Sequence, residues 1–257
     1  AEGGGRSKPK KKGHGASDPA WSALIALPAV KYAPDHAHGD APSIASLAEG
    51  KAARLCDKDR DAVRRYTLRE LVRVYPFGGR IDSSNLDPAA AWAAGCQVVA
   101  LNFQTGDVPM QLNQGKFADN GGCGYVPKPR FMLQPAPTAA PAPRWCTLKV
   151  EVLSCQRVVG EEGSSDIVDP YVVVEVHDGR PGAQRQRTES RDNNGFNPTF
   201  EGARAALEFE PVEEATAMVR FAVLDDNLGA DRLAGVCCLP LDACREGLRH
   251  VPLHDAA

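Results

Sequence analysis

Tyr75-Pro-Phe-Gly-Gly-Arg-Ile-Asp-Ser-Ser-Asn85, followed by Trp92 and by Gly95-Cys-Gln-Val-Val-Ala-Leu-Asn-Phe-Gln-Thr105, is the stretch on which the fold turns. Thr67–Val74 runs into Tyr75-Pro76, and a residue before proline is driven out of the helical region, so the element there must end. Pro88–Gly95 reads as a short helix. Cys96–Phe103 reads as a strand buried on both faces, because its apolar residues do not alternate with polar ones. Upstream, Trp21–Val30 is a short apolar run that reads as a buried strand. Ser46–Asp61 has helical spacing, with Leu47, Ala52, Leu55 and Cys56 on one side. Downstream, Gly121-Gly-Cys-Gly-Tyr-Val126 reads as a tight turn and one more short strand. Short apolar strands separated by helical stretches predict parallel βα units over 21–133.

Beyond this region the character of the chain changes. Residues 134–145, Gln-Pro-Ala-Pro-Thr-Ala-Ala-Pro-Ala-Pro-Arg-Trp, form a Pro/Ala linker, which is extended and semi-rigid by composition. From 146 the period becomes two: Leu148, Val150 and Val152 alternate with Lys149 and Glu151. Tyr171–Val176, Ala206–Phe209 and Met218–Val223 repeat the habit, with Asn193-Asn-Gly-Phe-Asn-Pro198 as an intervening loop. That pattern predicts an all-β sandwich over 146–257.

The whole-chain quantities agree with two modules. At 257 residues the chain has room for about two domains. With 43% hydrophobic and 25% charged residues, it is neither wholly disordered nor collagen-like. No apolar run reaches the roughly 18 residues of a membrane span. Residues 1–145 carry 19 Lys and Arg against 13 Asp and Glu, a balance of +6; residues 146–257 carry 11 against 20, a balance of −9. Residues 1–20 are a low-complexity linker containing the basic run Arg6-Ser-Lys-Pro-Lys-Lys-Lys12. No RNP-type motif or basic face follows it, which argues against a nucleic-acid partner. The eight cysteines have no metal-type spacing and read as reduced, intracellular small hydrophobes.

Two sets of residues point to a family. Tyr75–Asn85, Gly95–Thr105, Met110-Gln-Leu-Asn-Gln-Gly-Lys-Phe117 and Asn120-Gly-Gly-Cys-Gly-Tyr-Val-Pro-Lys-Pro129 together resemble the Y box of eukaryotic phosphoinositide-specific phospholipase C. Ile167-Val-Asp-Pro-Tyr171, Asn193–Pro198 and Gly247-Leu-Arg-His-Val251 resemble the C2 domain that follows it. The resemblance implies half of a TIM-type (β/α)₈ barrel over 21–133, then a C2 sandwich. It implies hydrolysis of phosphatidylinositol 4,5-bisphosphate to diacylglycerol and inositol trisphosphate. A histidine pair and a calcium ion in the X half would perform it. No X box is found in this chain, so no catalytic residue is expected in it. The chain is expected to be a C-terminal piece, with its C2 domain short of the last strand.

What the resemblance leaves to the Y half is reading of the lipid headgroup. It implies Ser46 and Arg73 on the 4-phosphate and Tyr75 on the inositol face. The chemistry suits: Arg presents a fork of donors to phosphate oxygens, Ser adds a hydroxyl, and a flat ring covers a sugar-like face. For the C2 half it implies a calcium site at Ile167, Asp169, Asn193, Asp225 and Asn227. The third loop, Val223-Leu-Asp-Asp-Asn-Leu-Gly-Ala-Asp-Arg-Leu-Ala-Gly235, departs from the family. It is one residue shorter, Asn227 stands where an aspartate is expected, and Asp231 is displaced to a place before Arg232. Calcium wants six to eight oxygen ligands, so losing a carboxylate weakens the site. The partners implied are a phosphoinositide lipid substrate, an anionic membrane surface and the X half of the same enzyme, at a cytoplasmic, membrane-peripheral location. The alternative is a non-catalytic Y–C2 module that binds phosphoinositide or calcium without turnover.

Overall fold

The computed structural model describes residues 18–34, 42–133, 142–160 and 167–255. Most of the basic linker 1–20, residues 134–141 of the Pro/Ala linker, and His36 and His38, whose HxH spacing is a compositional hint of metal binding, lie outside the described residues. The first unit is a four-stranded parallel sheet in the order β1 (Ala29–Val30), β2 (Ile44–Ala48), β3 (Leu71–Tyr75), β4 (Val98–Val99). Its helices are α1 (Pro19–Ser22), α2 (Glu49–Tyr66), α3 (Ala89–Ala93) and α4 (Val108–Phe117). Sequential parallel strands with helices between them are the βα repeat of a barrel segment. Alternation on β2 and β3 decides the layers. Ala45, Leu47, Val72 and Val74 are buried and meet Ala52, Cys56, Val63 and Tyr66 of α2 and Ala91 of α3. α2 is broken at Asp59, whose carboxylate accepts the Ala62 N–H at 2.8 Å and so caps the second segment.

Several expected elements differ. Trp21–Val30 is not one buried strand. Asp18 caps a helical turn with Pro at its start, and only Ala29–Val30 pairs, while Trp21, Leu24 and Ile25 stay exposed. A proline-started turn and a capping aspartate outweigh the apolar run that follows. The helical stretch Ser46–Asp61 is divided: Ser46–Ala48 belong to β2 and the helix starts at Glu49. Of Cys96–Phe103 only Val98–Val99 forms strand, with Val98 partly exposed. No strand forms at Tyr125–Val126; Pro127 and Pro129 offer no N–H to a ladder there, and Tyr125 is exposed.

The second unit is an antiparallel sandwich. Its main sheet runs β12 (Arg232–Pro240), β11 (Met218–Asp225), β7 (Pro170–His177), β8 (Gln184–Arg187). Facing pairs are β5 (Trp145–Cys146) with β10 (Val212–Glu213) and β6 (Lys149–Glu151) with β9 (Ala206–Glu208). Near the chain's end, His254 and Val236 exchange two backbone hydrogen bonds of 2.9 Å, a single bridge onto β12. Every residue of β7 is buried. Val172, Val174 and Val176 fill the sandwich core with Phe200, Leu207, Phe209 and Val219. The opposite face, Tyr171 and Val173, packs with Trp92 of α3 and Leu112 of α4, beside Met218, Val236 and Cys238. The two units therefore share a core.

That shared face continues as a charged cluster. Arg220 donates at 2.7 Å to Glu175 on the neighbouring strand and at 2.7 Å to Gln111 of α4. Arg185 of β8 stands 3.5 Å from Glu175. His177 places its ring nitrogens 3.7 Å from Asp87 and 3.8 Å from Glu175, at ion-pair distance but without a hydrogen bond. Burial works against the imidazolium, yet the two carboxylates raise its pKa from 6.5 to about 9. Burial likewise opposes the Glu175 carboxylate, and His177 and Arg220 pull it from 4.5 down to about 2. A raised histidine pKa gives stability that is full below about 6.5 and lost as pH climbs through about 9. The depressed carboxylate gives stability that is full above about 4.5 and lost as pH falls through about 2. Thermal midpoints of the chain should thus fall between pH 6.5 and 9.5, and His177→Gln should flatten that limb. An unchanged slope in the variant would remove His177 as its source.

Candidate functional site

Ser46, Arg73 and Tyr75 lie on the sheet face opposite the helices. Ser46 and Arg73 are register partners across β2 and β3, and Ala48 pairs with Tyr75. Alternation puts Arg73 and Tyr75 on the same side of β3, and the guanidinium carbon stands 5.2 Å from the Tyr75 ring centroid. The three residues singled out from the sequence are thus neighbours, Ser46 and Arg73 midway along two parallel strands and Tyr75 at the carboxyl end of β3. That end is where barrel folds place their chemistry. Among the described residues Arg73 pairs with no carboxylate, whereas Arg80 is held in a fork by Glu49 at 3.0–3.1 Å. Arg73 thus has its donors available to an external anion. A cleft of about 1190 Å³ runs on the helix side of the sheet, along α2, and none of the three lines it.

A polar scaffold beneath the loops escaped the sequence reading. Asp107 accepts the Asn85 backbone N–H at 2.8 Å and its side-chain amide at 3.0 Å, and caps α4 through the Met110 N–H at 3.2 Å. Asn85 in turn accepts the Asn102 N–H at 2.6 Å, and Asn102 donates to the Ser84 carbonyl at 3.2 Å. This ties the loop after β3 to the loop after β4 and to the start of α4, fixing the rim above Tyr75. Asn85 and Asn102 both stand in the motif stretch, but as isolated amides they carried no signal of a mutual contact.

In the sandwich the loops bearing Asp169, Asn193, Asp225 and Asn227 converge at one end. The Asp169 N–H donates to Asp225 at 2.8 Å, the Asn193 N–H donates to the Asp169 carboxylate, and the Asn227 amide donates to the Asp225 carbonyl at 3.1 Å. Ile167 lies beside them, exposed. Among the described residues the fit to calcium is poor. Asp231 accepts the Tyr171 hydroxyl at 2.6 Å, Asp226 accepts the Ser190 hydroxyl, and Arg232 stands 3.6 Å from Asp225. Among the described residues no group of three or more His, Cys, Asp or Glu side chains is arranged to hold a metal ion. No helix among the described residues is long and apolar enough to cross a membrane. All eight cysteines are free; Cys56, Cys96, Cys237 and Cys238 are buried.

A run of parallel βα units sharing a core with an antiparallel sandwich defines a barrel segment coupled to an all-β module. Comparison with known proteins gives the same division. Residues 25–131 match "Phosphatidylinositol-specific phospholipase C, Y domain" and residues 146–253 match "C2 domain". The human 1-phosphatidylinositol 4,5-bisphosphate phosphodiesterase delta-3 is 40% identical over 216 residues, 82% of this chain and 27% of the relative. The human inactive phospholipase C-like protein 1 is 36% identical over 218 residues, 81% of this chain and 20% of the relative. The crystal structure of L. pealei PLC21 superposes with a TM-score of 0.71 at 32% identity, over 83% of this chain and 28% of that one. The chain belongs to the phosphatidylinositol-specific phospholipase C family, of which it carries the Y domain and the C2 domain. It spans less than a third of the length of these relatives.

Proposed function

We propose that this chain is the headgroup-reading and membrane-docking part of a phosphoinositide phospholipase C. The enzyme would hydrolyse phosphatidylinositol 4,5-bisphosphate to diacylglycerol and inositol trisphosphate, at the cytoplasmic face of a membrane. The observation that carries this is the Ser46–Arg73–Tyr75 group on one sheet face, with an arginine that no carboxylate engages among the described residues. Arg73 and Ser46 bind the 4-phosphate, and Tyr75 packs on the ring. Acid–base cleavage needs a base at the 2-hydroxyl and an acid at the leaving group, work that falls to histidines. These belong to the X half, the partner this reading requires. Calcium, the family's expected cofactor, acts with them there. Docking by the sandwich is supported by three exposed apolar side chains, Val159, Phe196 and Leu228, on loops at its converging end.

The test is binding and turnover. The chain should bind phosphatidylcholine vesicles containing phosphatidylinositol 4,5-bisphosphate more tightly than vesicles containing phosphatidylinositol. Arg73→Ala should remove about tenfold of that preference, the worth of one charge-assisted contact set. Equal losses on both vesicles would sink the headgroup role, as would hydrolysis by the chain alone for the division of labour. A second reading, a Y–C2 module without turnover, is favoured by the likeness to the inactive human protein. Lipase assay of the full-length protein separates the two.

A further inference from the structure

The converging end of the sandwich carries a cation of its own. β11 ends on Asp225, β12 begins on Arg232, and the two are register partners across the hairpin. The guanidinium Nη2 stands 3.6 Å from Asp225 Oδ2 and donates at 2.7 Å to the Val159 carbonyl on another loop. One side chain therefore links two of the segments that calcium would have to join. Nε of Arg232 is buried and makes no hydrogen bond, so the guanidinium is turned into the end although the side chain as a whole stays 30% exposed. Among the described residues the neighbouring acceptors each take a hydrogen bond from within. Asp225 Oδ1 takes the Asp169 N–H, Asp169 takes the Asn193 N–H, and Asp231 takes both the Tyr171 hydroxyl and, at 3.4 Å, the Asn227 N–H.

Calcium needs six to eight oxygens at about 2.3–2.6 Å. Bound to Asp225, it would face a fixed positive charge across the same carboxylate, and like charges so close repel strongly. Arginine cannot relieve this by losing its proton. We infer that Arg232 is a resident cation that replaces calcium at this end, neutralising Asp225 and bridging the loops, so that the C2 domain assembles and docks without the metal. The inference rests on the docking reading above only for the word docks.

Calcium chloride titrated calorimetrically into the metal-stripped chain, with magnesium chloride as control, should give no saturable binding up to about 1 mM, the weak limit of calcium modules. Arg232→Asp, which returns a carboxylate to that place, should bind at least roughly tenfold more tightly than the native chain. Arg232→Gln removes the charge at similar length and should fall between them, which keeps the test open if the aspartate variant does not fold. Circular dichroism reports folding of each. Saturable micromolar binding by the native chain overturns the inference, and so do folded variants that bind calcium no better than native. Sedimentation with phosphatidylserine vesicles, in chelator and in calcium, tests docking separately. Native chain that sediments only with calcium overturns the inference; no sedimentation in either condition overturns the docking reading and leaves Arg232 to be decided by the titration.

Discussion

Arg64→Ala is expected to destabilise the chain by about 3–5 kcal/mol, the cost of leaving one partner of a buried ion pair alone. Arg64 sits on α2 and reaches across to the sandwich. Its Nη2 donates to Glu213 at 2.7 Å, with side-chain exposures of 13% and 3%. Its Nε donates to the Ala93 carbonyl at the end of α3 at 2.8 Å, and the Phe131 ring lies 5.0 Å beneath the guanidinium. In the variant Glu213 keeps only the Thr216 hydroxyl at 2.7 Å as a side-chain donor, and the Ala93 carbonyl loses its side-chain donor. A charge cannot remain in such a place without either protonation or local opening. At roughly 2–4 °C per kcal/mol for a chain of this size, the midpoint should drop by about 10 °C. The pair Arg64→Met with Glu213→Leu should recover most of the loss, because the charge is then removed with its counter-charge. Additive losses in the double variant would show that the two residues do not act as a pair. Scanning calorimetry is the measurement, and the shared core predicts that both units melt in one transition.

How much of this was readable beforehand varies with the range of the interaction. The βα character of 21–133 was legible from short apolar runs between helical stretches, but the strand Ile44–Ala48 was not, because Leu47 also fits the apolar side of the helix that follows. The neighbourhood of Ser46, Arg73 and Tyr75 followed from the family resemblance. Their register needed the sheet. Trp21–Val30 misled because apolar content alone does not distinguish a buried strand from an exposed turn-rich segment. Tyr171–Val176 displayed its β-branched character in Val172, Val173, Val174 and Val176. That its second face meets α3 and α4, and that Glu175 and His177 are buried there, depends on contacts between residues far apart in sequence. Arg232 is the sharpest case. The sequence shows only an arginine one place after Asp231. A one-residue irregularity between Val223/Leu224 and the facing Gly235/Leu233 shifts the ladder, and that shift sets Arg232 opposite Asp225. Such a bulge redirects a side chain without leaving a local compositional mark.

Gly115→Ala should cost about 2–3 kcal/mol, although the same substitution in a free helix is favourable by up to about 1 kcal/mol. Gly115 lies in α4 with its backbone against β12, and an added Cβ would run into the Cys238 carbonyl and its own Cβ. The obstacle is main chain in a paired strand, so it cannot swing aside as a long side chain would. α4 must lift instead, and with it Leu112, which fills the shared core beside Trp92 and Tyr171. Gly50→Ala on α2 is the matched control, since a Cβ there meets nothing within 4 Å. It should be neutral or slightly stabilising. Opposite signs for one chemical change at two helical glycines would locate the close approach at the α4–β12 contact. Equal signs would mean that α4 does not lie on β12 as described, and that the two units are joined less closely than their common core requires.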